Sequence, residues 1–290
     1  MHGTINDQTE PPCVLSDREF ERLGELIRAH CGIKMPAAKK PMLEARLHKR
    51  LRALGLKSFR EYCDLLAAPA GGAEELVQMI DAVTTHKTDF FREPAHFRYL
   101  AETVLPDYAA SPKRWDGPGF AVWSAGCSTG EEAYTLGIVL CEFAAAHRGF
   151  RFAITATDIS AGVLEKAALG VYGAEQVKGV PPEIMCKYFL RCRERERRVV
   201  RIVPELRSVV SFMRANLMDE RYCPFTKGAD AIFCRNVIIY FHRNEQYRLL
   251  AHFCRSLKSG GHLFLGHSET VHGFDLPLVR TGSTVYRKVT

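Results

Sequence analysis

The feature that most constrains the fold is residues 120–140, where an apolar run, a turn of small residues and a helical stretch follow one another. Phe120–Ala125 reads as a buried parallel strand. The turn is Gly126, Cys127, Ser128, Thr129 and Gly130. Beyond Glu131, the residues Ala133, Leu136, Gly137 and Leu140 recur at the three- and four-residue spacing of a helix. Strand, glycine turn and helix is how a doubly wound sheet builds a nucleotide site: glycine lets a ligand approach the backbone, and the helix start offers free N–H groups. This turn lacks the middle glycine of the dinucleotide fingerprint and places two carboxylates, Glu131 and Glu132, at the helix start. A pyrophosphate would meet like charge there. A cationic, hydroxyl-bearing ligand fits better, and S-adenosylmethionine carries a sulfonium, an ammonium and a ribose. A second strand is read at residues 152–157, with Asp158 at its tip. A carboxylate there is placed to accept hydrogen bonds from both ribose hydroxyls. The alternative is that Asp158 only caps a helix starting near Ser160.

Two further stretches are specific. Residues 230–241 read Asp-Ala-Ile-Phe-Cys-Arg-Asn-Val-Ile-Ile-Tyr-Phe, and residues 84–97 read Thr-Thr-His-Lys-Thr-Asp-Phe-Phe-Arg-Glu-Pro-Ala-His-Phe. With Trp-Ser-Ala-Gly-Cys-Ser-Thr-Gly-Glu-Glu (residues 123–132) and Gly-His-Ser-Glu (residues 266–269), they make the chain resemble the CheR family of chemotaxis receptor methyltransferases from about Leu15 to the C-terminus. The resemblance implies an α/β fold: a class I S-adenosylmethionine-dependent methyltransferase, a Rossmann-like doubly wound sheet with a terminal antiparallel hairpin. It also implies a small antiparallel insertion and a preceding small all-α domain.

The composition sets the class. In 290 residues, 47% are hydrophobic and 25% charged, as in a soluble globular protein. No apolar run approaches the roughly 18–20 residues that span a bilayer, and the N-terminus lacks a signal-peptide pattern. Ten scattered cysteines without a C-x-x-C pair suggest reduced thiols and a cytoplasmic location, not a disulfide frame or zinc site. The net charge is +7, and it is concentrated. Residues 39–60 hold eight Lys or Arg and one acid, so this segment carries the whole excess. Such concentration suggests an acidic partner surface.

In chain order, residues 1–14 read as a disordered tail and 15–83 as an all-helical domain. Ser16 and Glu19 form a capping box for a first helix that stops near Gly32. Leu43, Leu47, Leu51 and Leu54 stripe a second helix, with Arg46, Lys49, Arg50 and Arg52 off the stripe. Helices at about 58–66 and 73–83 follow. Residues 84–119 join the domains and include a helix at about 94–108. The methyltransferase domain is read as 120–290, with strands at 209–213, 231–234 and 262–266, a helix at 244–257 and a closing hairpin. An insertion at about 173–207 breaks the alternation. Its loop, Arg193-Glu194-Arg195-Glu196-Arg197-Arg198, has no glycine and is dense in charge, which discourages strand addition. Members of the family that tether to a receptor tail peptide have glycines there. The expectation is that this chain does not depend on such a peptide and finds its substrate through the helical domain.

The resemblance further implies methyl transfer from S-adenosylmethionine to glutamate side chains of chemoreceptors. The cofactor-contacting positions it marks are His86, Thr88, Arg92, Gly126, Glu132, Asp158, Asn216, Leu217, Arg235 and Asn236, with Glu131 adjacent and not separable from Glu132. The family commonly has Asn where this chain has His86. Arg92 and Tyr240 are the catalytic candidates: Arg92 as a bidentate holder of the substrate or cofactor carboxylate, Tyr240 as a hydrogen-bond donor to the substrate. Arg46, Lys49 and Arg50 are the candidates for contact with the helical cytoplasmic part of a receptor. A monomer is expected, without membrane insertion or nucleic-acid binding. The irregular spacing of His242, His252, His262, His267 and His272 gives no metal-site pattern, so no metal is expected. Two other readings compete: an RNA methyltransferase, disfavoured because the basic segment offers only Phe59 for stacking, and a non-catalytic cofactor-binding signalling module.

Overall fold

The computed structural model describes residues 13–69, 71–111, 119–192 and 198–289. The tail up to residue 12, part of the polar loop (112–118) and residues 193–197 of the charged loop lie outside them. The chain divides between Val83 and Thr84 into two compact units.

Among the described residues the first unit holds four α-helices: α1 (Asp17–Cys31), α2 (Lys40–Leu54), α3 (Phe59–Ala67) and α4 (Gly72–Val83). Ser16 and Glu19 close a reciprocal capping box on α1, and Gly32 ends it in the left-handed conformation. Leu43, Leu47 and Leu51 of α2 are buried with Phe59, Tyr62 and Met79. Full burial of such an aliphatic side chain stabilises by about 1.5–3 kcal/mol. Leu54, expected on that stripe, is exposed, because it sits at the last turn before Gly55.

The second unit begins with a helical run: α5 (Pro94–Tyr99), a π turn (Leu100–Val104) and α6 (Leu105–Ala109). The sequence predicts one regular helix here. Pro106 cannot donate to the carbonyl four residues earlier, and the Leu105 N–H reaches back to the Leu100 carbonyl, five residues before it. Then come β1 (Phe120–Ala125), α7 (Glu131–Ala146), β2 (Phe152–Asp158), α8 (Ala161–Leu169), β3 (Val171–Gly173), α9 (Pro182–Tyr188), β4 (Phe189–Arg191), β5 (Val199–Ile202), α10 (Pro204–Ser208), β6 (Val210–Arg214), β7 (Ala229–Cys234), α11 (Arg243–Ser256), β8 (Leu257–Leu265), β9 (Leu278–Gly282) and β10 (Val285–Lys288).

Seven strands form one sheet in the order β6-β2-β1-β7-β8-β10-β9. The first five are parallel, and β10 pairs antiparallel with both β8 and β9. This is the doubly wound sheet with a terminal hairpin that the sequence implies. The chain reverses direction through the sheet at β1, so the loops after β1 and β7 leave side by side, which is where such sheets bind ligands. Both β1 and β7 are buried along their whole length, as parallel strands covered on both faces require.

The insertion is a second, three-stranded antiparallel sheet, β3-β5-β4. It starts at Val171, two residues before the expected boundary, because β3 is short and its apolar content small. The chain also enters β8 earlier than expected. Residues 258–261 look like a helix stop, yet they continue the strand across a register irregularity opposite Ala229 and Ala231. A Cβ on Gly261 would lie 3.2 Å from the Ala229 carbonyl oxygen, a tight contact that glycine avoids where the two strands come together.

Candidate functional site

The carboxyl ends of β1, β2, β6 and β7 gather most of the residues singled out in the sequence. The β1–α7 turn is held by β2: the Gly126 and Cys127 N–H groups both donate to the Thr157 carbonyl, at 2.8 and 2.9 Å. Gly126 has φ 82°, and a Cβ there would stand 2.7 Å from Val237 Cγ2. The glycine therefore allows the loops after β1 and β7 to touch. Ser128 is left-handed too, with φ 51°.

Asp158 ends β2 in a nearly closed position, 8% exposed. Its Oδ2 accepts from the Ser128 N–H at 2.9 Å and its Oδ1 from the Ser160 N–H at 3.0 Å. The cap of α8 is Ser160, whose Oγ accepts from the Val163 N–H, so Asp158 is not the capping residue. Burial raises the Asp158 carboxyl above its ordinary pKa, opposed by those N–H groups and by His86 nearby. The Ser128 Oγ donates to the His86 carbonyl at 3.0 Å, so His86 joins this corner through its backbone. Asn216 and Leu217 follow β6, where the Ala215 N–H donates to the Asp158 carbonyl. Asn216 Oδ1 accepts from the Met218 N–H at 3.0 Å, and Leu217 packs half-buried against the core under β7.

The two glutamates of α7 diverge. Glu131 has no exposed surface. Its carboxylate accepts from Thr129 Oγ1 at 2.7 Å and from Gln176 Nε2 at 3.1 Å, which ties α7 to the insertion. Glu131 is thus enclosed, with its carboxylate oxygens turned to Thr129 and Gln176. Glu132 points the other way, toward β1 and β7. It accepts from Ser124 Oγ at 2.7 Å and pairs with Arg235 Nη1 at 3.3 Å. Burial raises its carboxyl, while Arg235 and Ser124 pull it back.

Arg235 is likewise enclosed. Its side chain is 2% exposed and bridges Glu93 and Glu132. It also donates to the Arg92 carbonyl and lies 5.1 Å over the Phe97 ring. The two Nη groups of the guanidinium are engaged inside the protein by Glu93, Glu132 and the Arg92 carbonyl. The turn it holds is unusual: Phe91 and Glu93, which flank Arg92, are both left-handed at φ 53° and 56°. Non-glycine residues rarely adopt this conformation, and it persists only where the surroundings enforce it. Phe90 and Phe97 anchor the stretch in the core. Half-buried Arg92 is thereby held at a fixed place, with its Nη1 donating to the Lys87 carbonyl at 2.9 Å. Thr88 lies half-buried on the same segment.

Asn236, again left-handed at φ 58°, starts the turn after β7, and Tyr240 ends it half-buried in a short 3₁₀ turn. Sequence reasoning assigned no role to Glu93 or Glu269, both of which organise this region. Glu93 Oε1 accepts from Asn236 Nδ2 at 3.4 Å and from the His267 N–H at 3.3 Å. Burial works to raise Glu93, but Arg235 and His267 outweigh it and hold the carboxyl below its ordinary value. Glu93, His96 and His267 offer donor atoms within 4.8 Å of one another, a grouping that irregular histidine spacing hid. The Arg235 guanidinium already sits on Glu93 Oε2 at 3.2 Å, so a metal ion there would face an established cation.

In the helical unit, the three basic candidates separate. Lys49 is exposed. Arg46 Nη1 donates to the Val83 carbonyl at the end of α4. Arg50 turns inward to Glu75, whose carboxylate also accepts from Tyr62 Oη. The face read as wholly outward is in part an internal brace, because Glu75 on α4 is buried and requires a cation.

Residues 18–84 match the family model described as CheR methyltransferase, all-alpha domain, and residues 86–286 match CheR methyltransferase, SAM binding domain. The chain is 41% identical over 276 residues to the chemotaxis protein methyltransferase of Klebsiella aerogenes, covering 94% of this chain and 90% of the relative. Against that of Escherichia coli it is 39% identical over 275 residues, covering 94% and 91%. Against that of Borreliella burgdorferi it is 37% identical over 256 residues, covering 88% and 89%.

Proposed function

This chain belongs to the CheR family of chemotaxis methyltransferases, and on that premise we propose that it moves the methyl group of S-adenosylmethionine onto glutamate side chains of chemoreceptors, forming methyl esters. The observation that carries this reading is the corner built by Asp158, Ser128 and Gly126. A nearly closed carboxylate at the tip of β2 stands beside a left-handed small-residue turn, and its donor-accepting oxygens suit vicinal hydroxyls. The residues that would hold the cofactor are Thr88, Arg92, Glu132, Asp158, Asn216 and Leu217, with Gly126 and the backbone at His86, Arg235 and Asn236. When bound, S-adenosylmethionine supplies an electrophilic methyl group on a sulfonium.

A glutamate carboxylate is ionised near pH 7, with an ordinary pKa of about 4.3, so this chain needs no base to activate it. Its residues have to strip water from that carboxylate and hold it in line with the methyl group. Arg92 is suited to grip a carboxylate, and its rigid turn fixes where the guanidinium begins. Tyr240 would donate a hydrogen bond to the substrate oxygen from the turn after β7. Glu132 keeps the site negative toward a cationic ligand. In the helical unit the remaining outward charge, with Lys49 and Arg52 exposed on α2, supports contact with an acidic helical receptor. A cytoplasmic monomer that reaches receptors at their arrays is consistent with this role; among the described residues no helix is long and apolar enough to cross a membrane.

The test is incubation with cofactor labelled in its methyl group and with receptor cytoplasmic fragments. Label that is released as methanol by alkali marks a carboxyl ester. Alkali-stable label, or label on RNA in place of the receptor, would overturn the reading.

A further inference from the structure

The turn that presents Asn236 and Tyr240 has no ladder partner for its backbone, yet its N–H groups are not left to water. Glu269, from the loop after β8, reaches under it. Glu269 Oε1 accepts from the N–H groups of Val237 and Ile238, both at 2.8 Å, and of Ile239 at 3.4 Å. Its Oε2 accepts from the N–H groups of Asn236 at 2.9 Å and Gly266 at 2.6 Å. Successive N–H groups curled around one point form an anion-binding concavity. Here the anion is a side chain of the same chain, 4% exposed and in no ion pair among the described residues. Gly266 is fitted to the arrangement: a Cβ there would stand 2.6 Å from Asn236 Nδ2 and 2.9 Å from Glu269 Oε2.

We infer that Glu269 is a positioning residue for methyl transfer, whose carboxylate holds the turn carrying Asn236 and Tyr240 in its working shape. The inference rests on the roles proposed above for those two residues. Without the carboxylate, four consecutive N–H groups would turn toward one another with no acceptor, and Asn236 would lose its reason to stay left-handed. Tyr240 would then lose its fixed starting point. A glutamine cannot stand in, because its NH2 group would point at N–H donors. A small free carboxylate can, because the concavity selects charge and shape.

The experiment compares kcat, receptor KM and thermal midpoint for Glu269→Ala, Glu269→Gln and Tyr240→Phe in the full chain. The expected result is a kcat lower by about tenfold or more in both Glu269 variants, with receptor KM within about threefold of the parent. Added formate should restore part of the rate of Glu269→Ala and none of that of Glu269→Gln. In a Tyr240→Phe background, Glu269→Ala should cost under about threefold, since residues that act as a unit are not additive. Parental kcat in a folded Glu269→Ala would overturn the inference alone. A full, additive loss in the Tyr240→Phe background, with affinity for S-adenosylhomocysteine unchanged, would overturn it as well, since neither Tyr240 nor Asn236 would then carry the effect. Parental kcat in Tyr240→Phe by itself would overturn the role of Tyr240 and with it the premise. Should Glu269→Ala not fold, Glu269→Asp, whose carboxylate reaches fewer of the N–H groups, is judged by the same outcomes.

Discussion

Arg50 grips Glu75 with two parallel hydrogen bonds, Nε to Oε1 at 2.9 Å and Nη2 to Oε2 at 2.5 Å. The pair joins α2 to α4 inside the helical unit. Arg50 is thus a poor probe of receptor binding. Arg50→Glu would set two carboxylates against each other and cost about 3 kcal/mol or more of stability. Lys49→Glu with Arg52→Glu should leave unfolding by urea unchanged and raise receptor KM. That rise should shrink with salt, since exposed charges are screened over about 8–10 Å. Equal KM for parent and double variant at low salt would remove the basic face from receptor recognition.

Asp158→Ala should weaken binding of S-adenosylhomocysteine by about 1–3 kcal/mol, the cost of leaving buried hydroxyls unpaired. It also frees the Ser128 and Ser160 N–H groups, so Asp158→Asn is the sharper comparison. Titration calorimetry on folded variants decides the matter. Unchanged affinity would dissociate Asp158 from the ribose.

His96 is buried, and its Nε2 meets the Ser283 carbonyl at 3.0 Å. Burial, aided by Arg235, lowers its pKa to about 4, against 6.5 for the unperturbed group. The unfolded chain therefore binds a proton at this position before the folded chain does. The stability contributed by the neutral imidazole is complete above pH 6.5 and is lost as pH falls from 6.5 toward 4. A folded His96→Phe variant should show a shallower fall of thermal midpoint across that window. Parallel curves would mean that His96 takes up its proton as readily in the folded chain as in the unfolded one.

Gly126→Ala should destabilise the second unit by about 1–3 kcal/mol, because it combines a left-handed φ with a collision. The two parts separate by mutation. Val237→Ala removes the atoms 2.7 Å from the new Cβ, so the double variant should recover the collision part and keep the backbone part. Denaturant unfolding of the single and double variants gives the split. No recovery would place the whole cost in the backbone.

What the sequence made legible follows from local physics. Strand β1 is an unbroken apolar run and can only be buried on both faces. The Ser16–Glu19 box and Gly32 mark the ends of α1 with residues three positions apart and one beyond. What stayed hidden is long-range. Arg235 stands at a strand end, and its partners Glu132 and Glu93 lie 103 and 142 residues away. Nothing local distinguishes Glu131 from its neighbour Glu132. Phe91, Glu93 and Ser128 are left-handed without being glycine, so the usual sign of that conformation is missing at those positions. Glu269 belonged to a recognised motif, yet its task became visible only when the loop after β8 was seen beneath the turn after β7.

The Glu269 concavity has a consequence for hydrogen exchange. Amides in a loop that leaves a strand end normally trade protons with water quickly, since water is their only acceptor. Those of Asn236, Val237 and Ile238 each have a buried acceptor within 2.9 Å. They should exchange only when the surrounding unit opens, on the slow timescale of β7 itself. A segment that lacks every ladder bond would then be counted, by its protection, as part of the sheet.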